Sequence, residues 1–207
     1  MTDYTFTNNW FDATARGAWD QLFERIRPAK ALEIGSYEGA SACYLIEKLG
    51  SVAPFEIHCI DTWDGGIEHQ SAGVDMTAVE ARFHSNTGSA IARARHTISL
   101  QVHKGFSDVK LVELLANGHR GTFDFVYIDG SHQAADVLAD AVLGFKLAKP
   151  GALIVFDDYL WAEDLPYGKD PLRCPKPAID AFINLHFRKL NLLSAPLYQI
   201  FAQKLSD

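Results

Sequence analysis

Between positions 9 and 26, Trp10, Phe11, Trp19, Leu22, Phe23 and Ile26 recur at spacings that give a helix one apolar side, and Pro28 stops it. Beyond it, short apolar runs alternate with longer amphipathic stretches, the pattern of successive strand–helix units and a mainly parallel sheet. The pattern predicts strands over 31–34, 55–60, 98–102, 123–128, 152–156, 189–193 and 197–202. Helices are expected over 40–49, around Leu111, Leu114 and Leu115, and over 133–147 and 178–187. The last two strands are joined by Ser194, Ala195 and Pro196, a link short enough to permit only antiparallel neighbours. The span 160–177, rich in proline, reads as an irregular covering loop.

Three of the predicted strands end in acidic residues. The segments ALEIGSYEGAS, FVYIDGSH and ALIVFDDY deliver Glu33, then Asp129 with His132, then Asp157 and Asp158. In an open parallel α/β sheet the carboxyl ends of the strands face one crevice, so this placement predicts an enzyme site.

Composition narrows the field. With 207 residues, 48% of them hydrophobic and 22% charged, the chain is expected to form one globular domain over 1–207, with 1–28 as an N-terminal helical segment. A net charge of -7 and the absence of a basic run argue against a nucleic-acid partner. The start MTDYTFTNNW has no leader pattern and no apolar run nears the ~20 residues of a membrane span, so a cytoplasmic protein with no membrane partner is expected. Cys43, Cys59 and Cys174 lack metal-like spacing and read as reduced thiols.

After the first strand comes the turn Gly35-Ser36-Tyr37-Glu38-Gly39, with two glycines four apart where strand passes into helix. Glycine admits close backbone approach and a helix start offers unpaired N–H groups, although plain turn chemistry gives the same spacing. Asp61, at the end of the second strand, stands where an acidic residue commonly holds ribose hydroxyls. Tyr37 occupies the middle glycine of G-x-G-x-x-G, which disfavours NAD and FAD. Glu33 beside the turn suits a cofactor carrying an amino group and a sulfonium, as S-adenosylmethionine does.

ALEIGSYEGAS resembles the first motif of the class I S-adenosylmethionine-dependent methyltransferases, in particular the small-molecule O-methyltransferases such as those acting on catechol and caffeoyl-CoA. The resemblance runs from Ala31 to the C-terminus. It implies a Rossmann-like α/β sandwich whose seven-stranded, mostly parallel sheet ends in an antiparallel hairpin and carries helices on both faces. It further implies that Glu33, Gly35, Ser36, Gly39 and Ser41 hold the amino-acid end of the cofactor, with Tyr37 of the same turn also cofactor-binding. Asp61 with Thr62 would take the ribose; Gly105, Ser107 and Asp108 of KGFSD would border the adenine; Asp129 would lie against the cofactor.

FVYIDGSH and VFDDYLW resemble the metal-dependent branch, which implies Mg2+ or another hard divalent cation on Asp129, Asp157 and Asp158. Three oxygen ligands without clustered Cys or His suit Mg, Ca or Mn. A cation or basic partners must offset their repulsion. Ordinary turn roles for Asp129 and Asp158 remain the alternative, and Asp158 departs from the asparagine common there in the relatives. His132 sits where those relatives carry the base, and imidazole can accept a proton at neutral pH; an N-cap or surface role is the alternative. Trp63, Tyr159, Trp161 and Tyr167 could sandwich an acceptor or pack as core, and His69 could overhang the site. The expected activity is metal-assisted methyl transfer to a small-molecule hydroxyl, with Asp129 and His132 catalytic. A metal-independent methyltransferase, a dinucleotide-dependent oxidoreductase and a non-catalytic binding protein stay open. So does the oligomeric state, for which the aromatic N-terminal helix offers a homodimer contact.

Overall fold

The computed structural model describes residues 4–207, so the first three positions of the N-terminal segment lie outside the described residues. The chain divides into two compact units, one running to Gly105 and one from Phe106 to Asp207.

In the first unit the expected N-terminal helix is two helices, α1 (Trp10–Thr14) and α2 (Arg16–Phe23), broken at Ala15. The break lets Phe11 and Trp19 meet edge to face at 5.1 Å, with Phe23 5.7 Å from Trp19. Then follow β1 (Lys30–Ile34), α3 (Ala40–Gly50), β2 (Phe55–Asp61), α4 (Ile67–Ser71), α5 (Met76–Arg93) and β3 (Ile98–Lys104). The three strands lie in the order β3-β2-β1 and pair in parallel, with Ile34 opposite Ile60 and Asp61 opposite Lys104. Each strand end is thereby brought level with the next.

Helix α5 was not expected. Its N-cap Asp75 accepts from the Ala78 N–H at 3.1 Å, and its buried face is Val79, Phe83, Asn86, Thr87 and Ala90. Two of those five are polar, which interrupts the apolar stripe by which a helix is recognised in sequence.

The second unit contains α6 (Ser107–Ala116), β4 (Phe123–Ile128), α7 (Ala134–Leu147), β5 (Ala148–Phe156), α8 (Lys176–His186), β6 (Leu190–Leu193) and β7 (Ile200–Lys204). Strand order is β4-β5-β7-β6, with β4 parallel to β5 and β7 antiparallel to both neighbours. The antiparallel ending is therefore as expected, and β7 lies inside it. Phe123 pairs with Ala148 and Phe125 with Leu153, so Lys149, Pro150 and Gly151 form a bulge within β5 rather than a turn before it.

The span 160–177 is more ordered than a bare loop. It holds a Leu165–Gly168 bridge, an ion pair of Glu163 with Arg173 at 2.5 Å and a 3-10 turn over Pro171–Arg173. Helix α8 begins inside it at Lys176, since proline is accommodated in a first helical turn.

Lys204 on β7 is fully buried. Its Nζ donates to the carbonyls of Phe145 at 2.9 Å and Ala148 at 2.8 Å and to Asp207 Oδ1 at 2.5 Å. These carbonyls end α7, where a cation meets the negative end of the helix dipole. Cys43 and Cys59 are buried and Cys174 is half-buried, all as free thiols. Among the described residues no helix is long and apolar enough to cross a membrane.

Candidate active site

The glycine turn is held from behind by Glu33. Its carboxylate is fully buried and accepts from Ser36 Oγ at 2.5 Å and Ser41 Oγ at 2.6 Å. Burial raises the Glu33 pKa above the ordinary carboxylate range, and the two serine hydrogen bonds oppose that shift. Asp61 holds the turn from the neighbouring strand. Its Oδ2 accepts from the N–H groups of Ser36 at 2.8 Å and Tyr37 at 2.9 Å, and its Oδ1 from Trp63 N–H at 2.7 Å. The Asp61 carbonyl accepts from Gly105 N–H at 2.9 Å.

Tyr37 (φ 46°) and Trp63 (φ 51°) are in the left-handed region, at a cost of about 1 kcal/mol or more each. Asp61, together with a 3.0 Å bond from Trp63 Nε1 to the Tyr37 carbonyl, offsets that strain. Gly39 is also left-handed (φ 82°), and a Cβ there would lie 3.0 Å from the Phe83 ring, so both conformation and space require glycine. The structure thus gathers Glu33, Gly35, Ser36, Tyr37, Gly39, Ser41, Asp61 and Gly105. Thr62 instead accepts from Asp64 N–H at 3.0 Å. Trp63 is buried against Phe83 at 4.9 Å, which favours core packing, while His69 stacks on Tyr37 at 5.2 Å.

In the second unit, Ser107 opens α6 and Asp108 Oδ1 accepts from Val109 N–H at 2.8 Å. Beside them on α7 lies a group the sequence reading missed: Asp140, buried next to the Ser107 hydroxyl. Burial pushes its pKa up to about 7; the Ser107 hydroxyl favours the ionised form, and the charges of Asp136 and Asp108 oppose it. A carboxyl whose folded pKa exceeds its unfolded one binds more protons in the native state, so its contribution is most favourable below about pH 4 and is lost as pH rises to about 7. We expect Asp140→Asn to stabilise the protein at pH 8 by about 2 kcal/mol, within the ~4 kcal/mol ceiling set by a pKa difference of about three. The gain should shrink at pH 5. Urea melts at the two pH values check this, and a pH-independent change would count against a buried ionised Asp140.

Asp129 follows β4, and Asp157 and Asp158 follow β5. The Asp157 N–H donates to the Ile128 carbonyl at 3.0 Å, bringing the two strand ends together. Tyr127 Oη lies 2.9 Å from Asp129 Oδ2 and makes a short hydrogen bond with Asp157 Oδ2. Asp157 also accepts from Gln199 Nε2 at 2.8 Å and, through Oδ1, from Asp158 N–H at 2.7 Å. Burial, then the charge of Asp158, pushes the Asp157 carboxyl up to about 6. One phenolic proton cannot satisfy two carboxylates, so the chain balances when Asp157 is protonated and Tyr127 donates to Asp129.

Asp158 is left-handed (φ 55°), and its Oδ2 lies 2.9 Å from His132 Nε2. The Trp161 ring stacks on the imidazole with centroids 3.9 Å apart, and Trp161 N–H donates to the Asp158 carbonyl at 2.9 Å. The Tyr198 phenol pKa is raised by burial and then by the charge of Asp158. Asp129, His132, Asp157 and Asp158 line a small recess whose other walls include Ile128, Val137, Phe156 and Ile179. Tyr159 is bonded elsewhere, to Asp180 at 2.7 Å, and Tyr167 is exposed. The sequence reading missed Tyr127, Gln199 and Tyr198; Tyr127, inside FVYIDGSH, carried the most accessible signal.

As a cation site this arrangement fits poorly. Both Asp157 oxygens are engaged by protein donors, and among the described residues no three His, Cys, Asp or Glu side chains stand together as metal ligands would.

Comparison with known proteins bears on the rest. A family profile described as a methyltransferase domain matches residues 32–159. The chain is 26% identical over 130 residues to an uncharacterized protein of Acanthamoeba polyphaga mimivirus, covering 62% of this chain and 50% of that one. It is 33% identical over 70 residues to a probable caffeoyl-CoA O-methyltransferase of Dictyostelium discoideum, covering 34% of this chain and 26% of that one. It therefore spans half or less of the curated relatives it matches. Among solved structures, an O-methyltransferase from Bacillus cereus in complex with SAH (S-adenosylhomocysteine) has TM-score 0.64 at 20% identity, over 91% of this chain and 80% of that one. MycE methyltransferase of the mycinamycin pathway, in complex with Mg, SAH and mycinamycin VI, has TM-score 0.56 at 21% identity, over 98% of this chain and 51% of that one. Strand order within each unit, the antiparallel ending and these likenesses agree on a Rossmann-like sandwich, and the chain belongs to the methyltransferase-domain family.

Proposed function

We propose that the protein transfers the methyl group of S-adenosylmethionine to a hydroxyl of a small molecule. The observation that carries this reading is the His132–Asp158 pair, 2.9 Å apart beside the recess and covered by Trp161. Bound S-adenosylmethionine supplies an electrophilic methyl group on a sulfonium. Ser36 and Tyr37 would present the turn to its amino-acid end, Asp61 would meet the ribose, Gly105, Ser107 and Asp108 would border the adenine, and Glu33 would act through the two serines it holds.

The His132 imidazole would take the acceptor's hydroxyl proton, and the Asp158 carboxylate beside it would stabilise the imidazolium formed. Trp161 excludes water from the ring face and fixes its plane.

A divalent cation is the second reading. Its donors would be Asp129, Asp157 and Asp158, and its support is the oxygen-only chemistry of that set together with the Mg of MycE. Asp157 would first have to give up Tyr127 or Gln199, so we route no step through a metal.

Calorimetric titration with S-adenosylhomocysteine and with NAD, followed by labelled-methyl transfer to a panel of hydroxyl compounds with and without EDTA, tests the proposal. Binding of S-adenosylhomocysteine but not of NAD, and labelled methyl ethers, are expected. Binding of NAD alone would overturn the reading, and loss of transfer in EDTA would install the cation.

A further inference from the structure

Glu38 lies between Tyr37 and Gly39 in the turn, yet its side chain is buried at 2% exposure. A buried carboxylate needs partners. Oε1 accepts from Thr7 Oγ1 at 2.8 Å and Arg82 Nε at 2.5 Å, and Oε2 accepts from Thr7 N–H at 2.7 Å. Asn86, one helical turn beyond Arg82 on α5 and 1% exposed, completes the grip. Its Nδ2 donates to the Glu38 carbonyl at 3.0 Å and the Thr5 carbonyl at 3.1 Å, while its Oδ1 accepts from Thr5 N–H at 2.9 Å. The segment ahead of α1 and the middle of α5 thus hold the turn from outside, as Glu33 and Asp61 hold it from within.

We propose that Thr7, Arg82 and Asn86 are positioning residues for the cofactor: by fixing Glu38 they fix the left-handed backbone on either side of it and so the shape of the turn and the Ser36 and Tyr37 N–H groups through which it holds Asp61. This rests on the methyltransferase reading above. The geometry favours more than packing. The bonds converge on one side chain and one carbonyl of the turn, and the residues flanking Glu38 both have positive φ, at 46° and 82°. A turn held in an uncommon conformation reverts when its restraint is removed. Coupling of this kind is reciprocal, so a ligand on the turn must in return tighten the grip on Thr5 and Thr7.

The test uses the full chain, with S-adenosylhomocysteine as probe. Calorimetric affinity is measured for the wild type, Arg82→Met and Arg82→Lys, and hydrogen exchange at the Thr5 and Thr7 amides is followed in the wild type with and without the probe. Arg82→Met is expected to weaken binding roughly tenfold, a typical coupling, with Arg82→Lys recovering most of it. The probe should slow exchange at both amides by about fivefold or more. Wild-type affinity in folded Arg82→Met, or exchange indifferent to the probe, would overturn the inference while leaving the cofactor reading standing. Failure of the wild type to bind the probe would overturn both. Should Arg82→Met not fold, exchange in the wild type still decides.

Discussion

His132→Ala is expected to lower turnover by about 10² to 10⁴-fold, the usual worth of a positioned general base, while the affinity for S-adenosylhomocysteine changes by less than about twofold. The split follows from the contacts. His132 hydrogen-bonds Asp158 and stacks on Trp161, both in the second unit, whereas the bonds that hold the glycine turn come from Glu33, Asp61 and Glu38 in the first. Removing the ring therefore removes the proton acceptor and leaves intact the groups that hold Ser36 and Tyr37. Asp158→Asn should fall between, because asparagine tolerates the left-handed backbone at φ 55° but lacks the charge that stabilises an imidazolium. Single-turnover rates with labelled cofactor, beside calorimetry, measure both quantities. An equal loss of affinity and rate would remove His132 from the chemistry.

Lys204→Met is expected to cost about 3 kcal/mol or more in stability. Methionine fills much of the same space, so the loss is mainly polar. It would strip donors from the carbonyls of Phe145 and Ala148 and leave Asp207 without its cation. It also removes a cation 4.3 Å from the Phe145 ring centroid. Arginine should not rescue, since a planar fork cannot occupy a fully buried slot shaped for an ammonium. Chemical denaturation measures the cost. A loss below about 1 kcal/mol would mean that the buried amine barely repays its own desolvation.

Strand–helix alternation and acidic strand ends were legible in the sequence because each depends on local rules. Strands need runs of apolar residues, and Asp or Glu after a strand is visible without knowing its partners. What stayed hidden depends on distant partners. Asn86 and Thr87 look like surface residues until Glu38 and the Phe83 carbonyl are seen to receive them, and with them α5 disappears from the apolar pattern. Lys204 reads as part of a polar tail until α7 presents its carbonyls. The aromatic residues divide in the same way: Trp161 lies on His132 and Trp63 on Phe83, a distinction no spacing encodes. The break at Ala15 was hidden because the apolar periodicity runs through it.

The three thiols have unequal surroundings. Cys43 and Cys59 are sealed in the first unit, and burial pushes both far from ionisation, whereas Cys174, though burial raises its thiol as well, sits half-buried and reachable just after the 3-10 turn of the span that carries Trp161. A maleimide dye added to the native, unmutated protein therefore attaches at one place, giving an optical reporter on the segment that covers the imidazole.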